Sequence, residues 1–372
     1  MKKICFVNPQ YIKNNIGGAE VQMYLLAKEF IKSGWQVFYV SEDISEKTID
    51  EGIQLIPFKG NKNYATFEKV LKEIDADVYY QRGRKKHTCF VSKFTKRHNK
   101  LFVFANSMEI DAKKYKFITR LNWKNPLSCI ARFIPFLIMD LSTLYGMKNA
   151  KILLSQTKEQ QNAFSKNLSL DSVLVKKIYP SPSVDEIRKK KKPIVLWTAN
   201  IKKWKQPELF LKLVDKLHRE NCSFIMVGGL VDKSYSTLIS QYEKQYANFK
   251  YLGKIEYSES EKLFHSASIF VNTSKNYESQ PNTYIQSWLN QVPVVALNHD
   301  SDGVIEGEKI GYHSKTFEQL VKDIKRLIND ESLRNEMGMR GREYAIKMFS
   351  NKQFEKLKCL IEDQLAAKEA NK

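Results

Sequence analysis

Cysteine is sparse and unpatterned in this 372-residue sequence: Cys5, Cys89, Cys129, Cys222 and Cys359 are odd in number, scattered, and show no CxxC spacing. That excludes a disulfide framework and predicts a reduced, cytoplasmic compartment. Long clean apolar runs are lacking as well. Ile130 to Leu141 is interrupted by Arg132 and Asp140, so it falls short of the roughly 20 residues a membrane span needs. The opening MKKICFVNPQ runs straight into a strand, without the h-region or cleavage site of a signal peptide. The histidines form no HExxH or other paired-ligand spacing, and DxD occurs at both Asp75–Asp77 and Asp300–Asp302. A pattern so easily met twice carries no weight, and no metal is expected. No short internal repeat is present.

Acidic residues are also few, 41 against 61 basic ones, for a formal charge of +20. From Arg82 to Lys124 the excess is concentrated, with only Glu109 and Asp111 to oppose it. Such a block suits an anionic membrane face or an anionic acceptor, or is a solvated lysine-rich surface. It comes without a helix-turn-helix, an aromatic RNP pattern or zinc spacing, so nucleic acid is not an expected partner. Hydrophobic residues at 42% and aromatics at 12% exclude disorder, and the length suits about two domains.

Strand and helix patterns alternate along the chain. Lys3–Val7, Gln36–Val40, Gln54–Pro57, Asp77–Tyr80, Leu101–Ala105 and Ile152–Ser155 read as strands. Gly17-Gly18-Ala19-Glu20 opens a helix with apolar residues at helical spacing. Two glycines there allow close approach of a ligand, or simply begin a helix. Leu127 to Lys148 reads as one or two apolar helices, either packed in a core or touching a membrane with one face. Ser181-Pro182-Ser183 and the basic run Arg188 to Pro193 shift the composition and read as a linker. The alternation then restarts with Ile194–Trp197, Ser223–Val227, Phe249–Leu252, Ala267–Val271 and Val292–Leu297 as strands. The fold class is α/β, with two doubly wound domains whose strand ends line a cleft.

One stretch concentrates the polar signals. After the apolar run Ala267–Val271 come Ser274, Asn276, Ser279, Pro281 and Asn282, then a short helix to Asn290. Strand, turn-rich loop and helix N-terminus in that order make an anion site. Glu278 lies inside the loop and Gln286 in the helix.

Several motifs resemble, in order, those of one family: GGAE at 17–20, YQRGR at 80–84, QT at 156–157 with Gln160, NIKKWKQPELF at 200–210, NTSKNYESQPNTYIQSW at 272–288, and DGVI at 302–305 with Gly311. The chain resembles the retaining GT-B glycosyltransferases of family 4, in particular bacterial members that build surface polysaccharides such as lipopolysaccharide or capsule. The resemblance implies the GT-B fold, two Rossmann-like domains facing across a cleft. Residues 1–184 would form the acceptor-side domain and 185–346 the nucleotide-sugar domain. A C-terminal helix, 347–372, would pack back on the first. The implied activity is metal-independent transfer of a sugar, with retention, from a UDP- or GDP-linked donor to a hydroxyl of a growing glycan or lipid-linked oligosaccharide. No cofactor is implied.

The same resemblance assigns roles to residues. Lys205 corresponds to the phosphate-binding lysine and Glu278 to the glutamate at the donor sugar. Gly17, Gly18, Asn200, Gly228, Lys254, Ile255, Pro281, Asn282, Thr283 and Gln286 fall on the donor side; Glu20, Arg82, Asn106 and Glu109 on the acceptor side. Three departures stand out. Asn200 replaces an arginine, Pro281 offers no N–H, and Gln286 replaces a glutamate that accepts from the ribose. The last loses a charge-assisted hydrogen bond of about 1–2 kcal/mol. A nucleotide-sugar epimerase of the same fold, or a non-catalytic GT-B partner subunit, is the alternative. The chain is expected in the cytoplasm, peripheral on the inner face of the membrane.

Overall fold

The computed structural model describes residues 1–14, 16–58, 63–121, 126–275 and 278–370. Asn276 and Lys124, singled out above, lie outside the described residues, as do the side chains of Arg120 and Leu127. The chain forms two compact units: Met1–Ile178 with Asn351–Lys372, and Tyr179–Ser350.

The first unit runs β1 (Lys3–Val7), α1 (Gly18–Lys32), β2 (Gln36–Ser41), β3 (Thr48–Asp50), β4 (Ile53–Pro57), α2 (Tyr64–Ile74), β5 (Val78–Arg82), α3 (Thr88–Arg97), β6 (Leu101–Ala105), α4 (Pro126–Lys148), β7 (Ile152–Ser155), α5 (Lys158–Leu168) and β8 (Val173–Leu174). Its strands lie in the order β3-β4-β2-β1-β5-β6-β7-β8, parallel except for β3, which pairs antiparallel with β4. Strands buried on both faces read as unbroken apolar runs, so LFVFA at β6 is buried throughout. Strand order reverses where β1 pairs with β2 on one side and β5 on the other. Loops after those two strands therefore open a crevice at their carboxyl ends.

Four charged side chains are buried together beside β5. Arg84, 1% exposed, donates to Asp140 Oδ1 at 3.3 Å, to Thr143 Oγ1 and to the Lys113 carbonyl. Lys116 Nζ donates to Asp111 Oδ1 and to the Arg84 carbonyl. Asp140 accepts from the N–H groups of Phe117 and Ile118, and so ties α4 to the loop before it. Arg84 is committed to this cluster and is not available to an anionic acceptor, the role its place in the basic block suggested.

The core-packing reading of Leu127 to Lys148 holds for one half of α4. Its C-terminal half packs on α3, and a Cβ at Gly146 would come within 2.6 Å of the Thr88 carbonyl oxygen. Asp140, Thr143, Leu144 and Met147 are buried there. The N-terminal half is different, since residues 130–135 are all exposed. Core packing thus accounts for only part of this helix.

The second unit runs β9 (Ile194–Thr198), α6 (Pro207–Leu217), β10 (Ser223–Val227), α7 (Ser236–Gln245), β11 (Phe249–Tyr251), α8 (Tyr257–Ser266), β12 (Ile269–Asn272), α9 (Asn282–Leu289), β13 (Val294–Ala296), α10 (Val304–Gly307), β14 (Gly311–His313), α11 (Phe317–Asn329) and α12 (Glu331–Met348). Its sheet has the order β11-β10-β9-β12-β13-β14, and the pairs are parallel. β13 is shorter than its apolar run because Val292 donates to the Ser287 carbonyl, closing α9 through Gln291 at φ 56°. Order reverses at β9, flanked by β10 and β12.

The chain ends on α13 (Lys352–Ala370), which belongs to the first unit. Phe354 packs against Phe30 with centroids 5.0 Å apart, and Leu357 and Ile361 are buried.

Removing one partner from a buried charge cluster strands the others. Arg84→Met is therefore expected to cost about 3–5 kcal/mol of stability, measured by urea unfolding. A stable variant with weakened acceptor binding would instead restore Arg84 to the acceptor side.

Candidate functional site

The site in the second unit forms where its strand order reverses. The loop after β9 carries Asn200, Lys202, Lys203 and Lys205; the loop after β12 carries Glu278. Thr273 fastens the two loops together. It accepts from Trp197 Nε1 at 2.9 Å and donates to the Lys205 carbonyl at 2.8 Å. Lys275 N–H adds a bond to the Trp204 carbonyl. These links bring Lys205 Nζ into contact with Glu278 Oε1, an ion pair between residues 73 positions apart. Gln206, at φ 50°, turns the chain into α6, and Pro207 occupies its first position.

Glu278 is held on several sides. Ser274 Oγ donates to Oε1 at 3.0 Å, and Asn272 Nδ2 lies 3.4 Å from Oε2. Asn298 Nδ2 donates to the Ser274 carbonyl at 3.1 Å. The Ser279 carbonyl is bonded to His299 Nε2 at 2.6 Å and to the Ser301 hydroxyl. Burial keeps His299 below the usual imidazole range, so a neutral ring sits behind this loop. Burial, with Lys202 nearby, pulls the Lys205 ammonium down to about 7, and contact with the Glu278 carboxylate works against that pull. A cation beside a carboxylate, under the start of a helix, can bind an anion and stabilise developing charge of either sign.

That helix is α9. Asn282 and Thr283 are its first residues, and Pro281 is its N-cap, whose side chain makes no cap hydrogen bond. Gln286 is buried one turn in, at 6% exposure. The other end of α9 is tied down by cations. Lys189 Nζ donates to the carbonyls of Asn290 at 2.7 Å, Ala267 at 2.6 Å and Phe264 at 3.4 Å, and Arg342 donates to the Leu289 carbonyl. Positive charge at a helix C-terminus complements the dipole. Lys189 comes from the basic run read above as linker, and is instead drawn into the unit.

The remaining donor-side residues divide. Asn200 and Lys254 both lie beside Gly229, on the β9 and β11 loops, and Ile255 is half-buried next to Lys254. Gly228 has a packing role. At φ 143° a Cβ there would stand 1.8 Å from the Ala199 carbonyl oxygen, so only glycine lets the β9 and β10 ends approach. Gly17 caps α1 and Gly18 is its first residue; a Cβ on Gly17 would meet the Glu20 carboxylate at 2.2 Å.

Acceptor-side candidates cluster at the carboxyl ends of β1, β5, β6 and β7 in the first unit. Glu20 is buried and accepts from Asn8 Nδ2 at 2.8 Å. Arg82, 4% exposed, bonds Tyr80 through Nη1, while Nη2 has no hydrogen-bond partner among the described residues. Asn106 Nδ2 and Gln156 Oε1 are likewise unpaired there. Arg82, Gln22 and Gln156 line a small cavity with Lys176 and Lys177, with room for about one water molecule. Glu109 is half-exposed and opens a 3-10 turn. QT with Gln160 has a local explanation, since Thr157 caps α5 by accepting from Gln160 N–H.

Sequence reasoning missed Thr273, Asn298, His299 and Ser301, and read Ser274 only as a turn former. Hydroxyls, an amide and a lone imidazole on two loops have no spacing that marks them. It also set aside Asp300, whose ligand atoms lie within 4.8 Å of those of Glu306 and His313. Both Asp300 oxygens already accept from backbone, at Ile305 and Glu306.

Residues 183–344, which hold the Lys205–Glu278 site, match the family model described as glycosyl transferases group 1. The fold is shared with solved structures over nearly the whole chain. Sucrose-phosphate synthase from Thermosynechococcus elongatus superposes with a TM-score of 0.76 at 13% identity, covering 99% of this chain and 100% of that one. HepE from Anabaena, in complex with UDP-glucose, gives 0.67 at 14%, covering 100% of both chains. WaaG, a glycosyltransferase involved in lipopolysaccharide biosynthesis, gives 0.70 at 15%, covering 96% of this chain and 99% of that one. The fold is therefore GT-B. The match to that family model covers nearly all of the second unit.

The packing role of Gly228 is testable apart from any ligand. Gly228→Ala is expected to lose more than about 2 kcal/mol, from overpacking and backbone strain, in chemical denaturation without nucleotide. Wild-type stability with weakened nucleotide binding would instead make Gly228 a donor contact.

Proposed function

We propose that this protein transfers a sugar, with retention and without a metal, from a UDP- or GDP-linked donor to a hydroxyl of a growing cell-surface glycan or lipid-linked oligosaccharide. The Lys205–Glu278 contact carries the reading. It places the two charges a nucleotide-sugar donor needs at the crevice of the second unit. Lys205 meets the diphosphate, and the N-terminus of α9, at Asn282 and Thr283, adds its dipole. Glu278 faces the sugar, and Gln286 accepts from the ribose through its amide oxygen. Asn200, Lys254 and Ile255 border the nucleotide. Glu20, Arg82, Asn106 and Glu109 serve the acceptor in the first unit. Arg82, buried with an unpaired nitrogen, suits an acceptor bearing phosphate. The protein works in the cytoplasm, on the inner face of the membrane.

No side chain takes the part of a nucleophile. The acceptor hydroxyl attacks on the face the diphosphate leaves, through an ion-pair-like state, and the leaving phosphate takes its proton. Glu278 neutralises Lys205; an arriving diphosphate competes for the ammonium and frees the carboxylate for the sugar. Gln286 and Asn200 weaken donor binding relative to the charged residues of the resemblance, without touching the bond that breaks.

Thermal melting with UDP, GDP and their sugars identifies the donor, and transfer is then assayed with glycan acceptors. Glu278→Ala is expected to lower kcat at least about 100-fold, and Gln286→Ala to act mainly on donor KM, by less than about tenfold. Equal losses in kcat would overturn the two roles. Sugar conversion without acceptor would mark an epimerase, and nucleotide binding without turnover a non-catalytic subunit.

A further inference from the structure

The most exposed apolar surface among the described residues of the first unit is a stripe on α4. Ile130, Ile134, Ile138, Leu141 and Tyr145 recur at intervals of three and four, on one side of the helix. They are 71%, 65%, 60%, 51% and 44% exposed. Phe133 widens the stripe at 39%. Only 28% of the helix window from Cys129 to Lys148 is buried. A contiguous patch of large aliphatic side chains, in water, marks a surface that another phase or molecule covers.

The charge around the stripe identifies what covers it. From Ala112 to Thr157 the basic residues are Lys113, Lys114, Lys116, Arg120, Lys124, Arg132, Lys148 and Lys151; Lys116 is buried against Asp111, and the sole acidic residue of the stretch, Asp140, is buried too. Lys113 and Lys114 are exposed beside an exposed Tyr115. Their loop is fixed to the middle of α4, because Phe117 and Ile118 donate to Asp140 and Arg84 holds the Lys113 carbonyl at 2.5 Å. Lysines and an aromatic ring therefore stand on a loop anchored to the same helix, held through the buried Asp140. A second copy of this chain would bring the same uncompensated cations against them, which disfavours self-association through this face. An anionic bilayer satisfies both parts, taking the aliphatic groups among its acyl chains and the cations at its headgroups.

We infer that α4 lies in the plane of an anionic lipid bilayer, with Ile130, Ile134, Ile138 and Leu141 inserted and Lys113 and Lys114 at the headgroups. This refines the membrane placement proposed above and does not depend on the transfer chemistry. A helix held along one side by Arg84, Asp140 and Gly146 stays with its unit and cannot cross the membrane alone.

The test is co-sedimentation of the full chain with vesicles of phosphatidylcholine alone, or with about one third phosphatidylglycerol, at low and high salt. Wild type is expected to sediment with the anionic vesicles and to be largely released by salt. The double variant Ile134→Asp/Ile138→Asp should lose at least about tenfold in partitioning. Lys113→Glu/Lys114→Glu should lose several-fold on anionic vesicles, with a weaker salt response. All four side chains are exposed, so melting temperatures should match wild type. Nucleotide-induced thermal shifts, unchanged in the variants, separate failure here from failure of the transferase reading. Undiminished binding by the isoleucine variant would overturn the inference, as would equal binding to neutral vesicles. A wild-type dimer in sedimentation velocity that the isoleucine variant abolishes would give the face to a second copy instead.

Discussion

The contact between Lys205 and Glu278 is the constraint on which the second unit's site depends. Neither charge would be left in a partly buried crevice alone, because desolvation costs more than any single neutral hydrogen bond returns. Each is there because the other is. The pairing requires that the loop after β9 and the loop after β12 leave adjacent strands in the same direction, which a parallel sheet with its order reversed at β9 provides. Thr273 then sets the approach by binding the indole of one strand and the backbone of the opposite loop. Asn298, His299 and Ser301 hold the same loop from the third side.

A second level of support lies away from the charges. The α9 helix begins at the site after Pro281, and its far end is bound by Lys189 and Arg342. Close packing against α12 completes the hold, since side chains on Gly338 and Gly341 would strike Gln291 and Trp288. The N–H groups that face an anion are thereby fixed before any ligand arrives, which is the condition for electrostatic stabilisation without reorganisation.

In the first unit buried charge serves architecture. Arg84, Asp140, Asp111 and Lys116 satisfy one another and several backbone groups, so their burial is compensated throughout. Arg82, two residues from Arg84, is buried as well and keeps a nitrogen without a hydrogen-bond partner among the described residues. Successive side chains of an extended segment need not share an environment, and these two arginines differ in kind: one is a structural clasp, the other an open donor.

The strands were legible because buried parallel strands are unbroken apolar runs, and LFVFA or SIFVN can be read as nothing else. The helix that opens at Gly17-Gly18 was legible from its helical spacing of apolar residues. Motif order and residue type also marked Lys205, Glu278 and the opening of α9. What the sequence did not contain was the fate of each charge. Arg82 and Arg84, or the lysines of the run from Lys189 to Lys192, are equivalent as letters, and only packing decides which is buried against carbonyls and which meets solvent. The two readings of α4 likewise rested on one hydrophobic pattern, which states that a face is apolar and not what covers it. His299 and Ser301 entered the site through contacts across some twenty residues. Local sequence determines secondary structure because backbone geometry and side-chain period are local properties. The site is decided by tertiary structure, because burial and pairing belong to the three-dimensional neighbourhood.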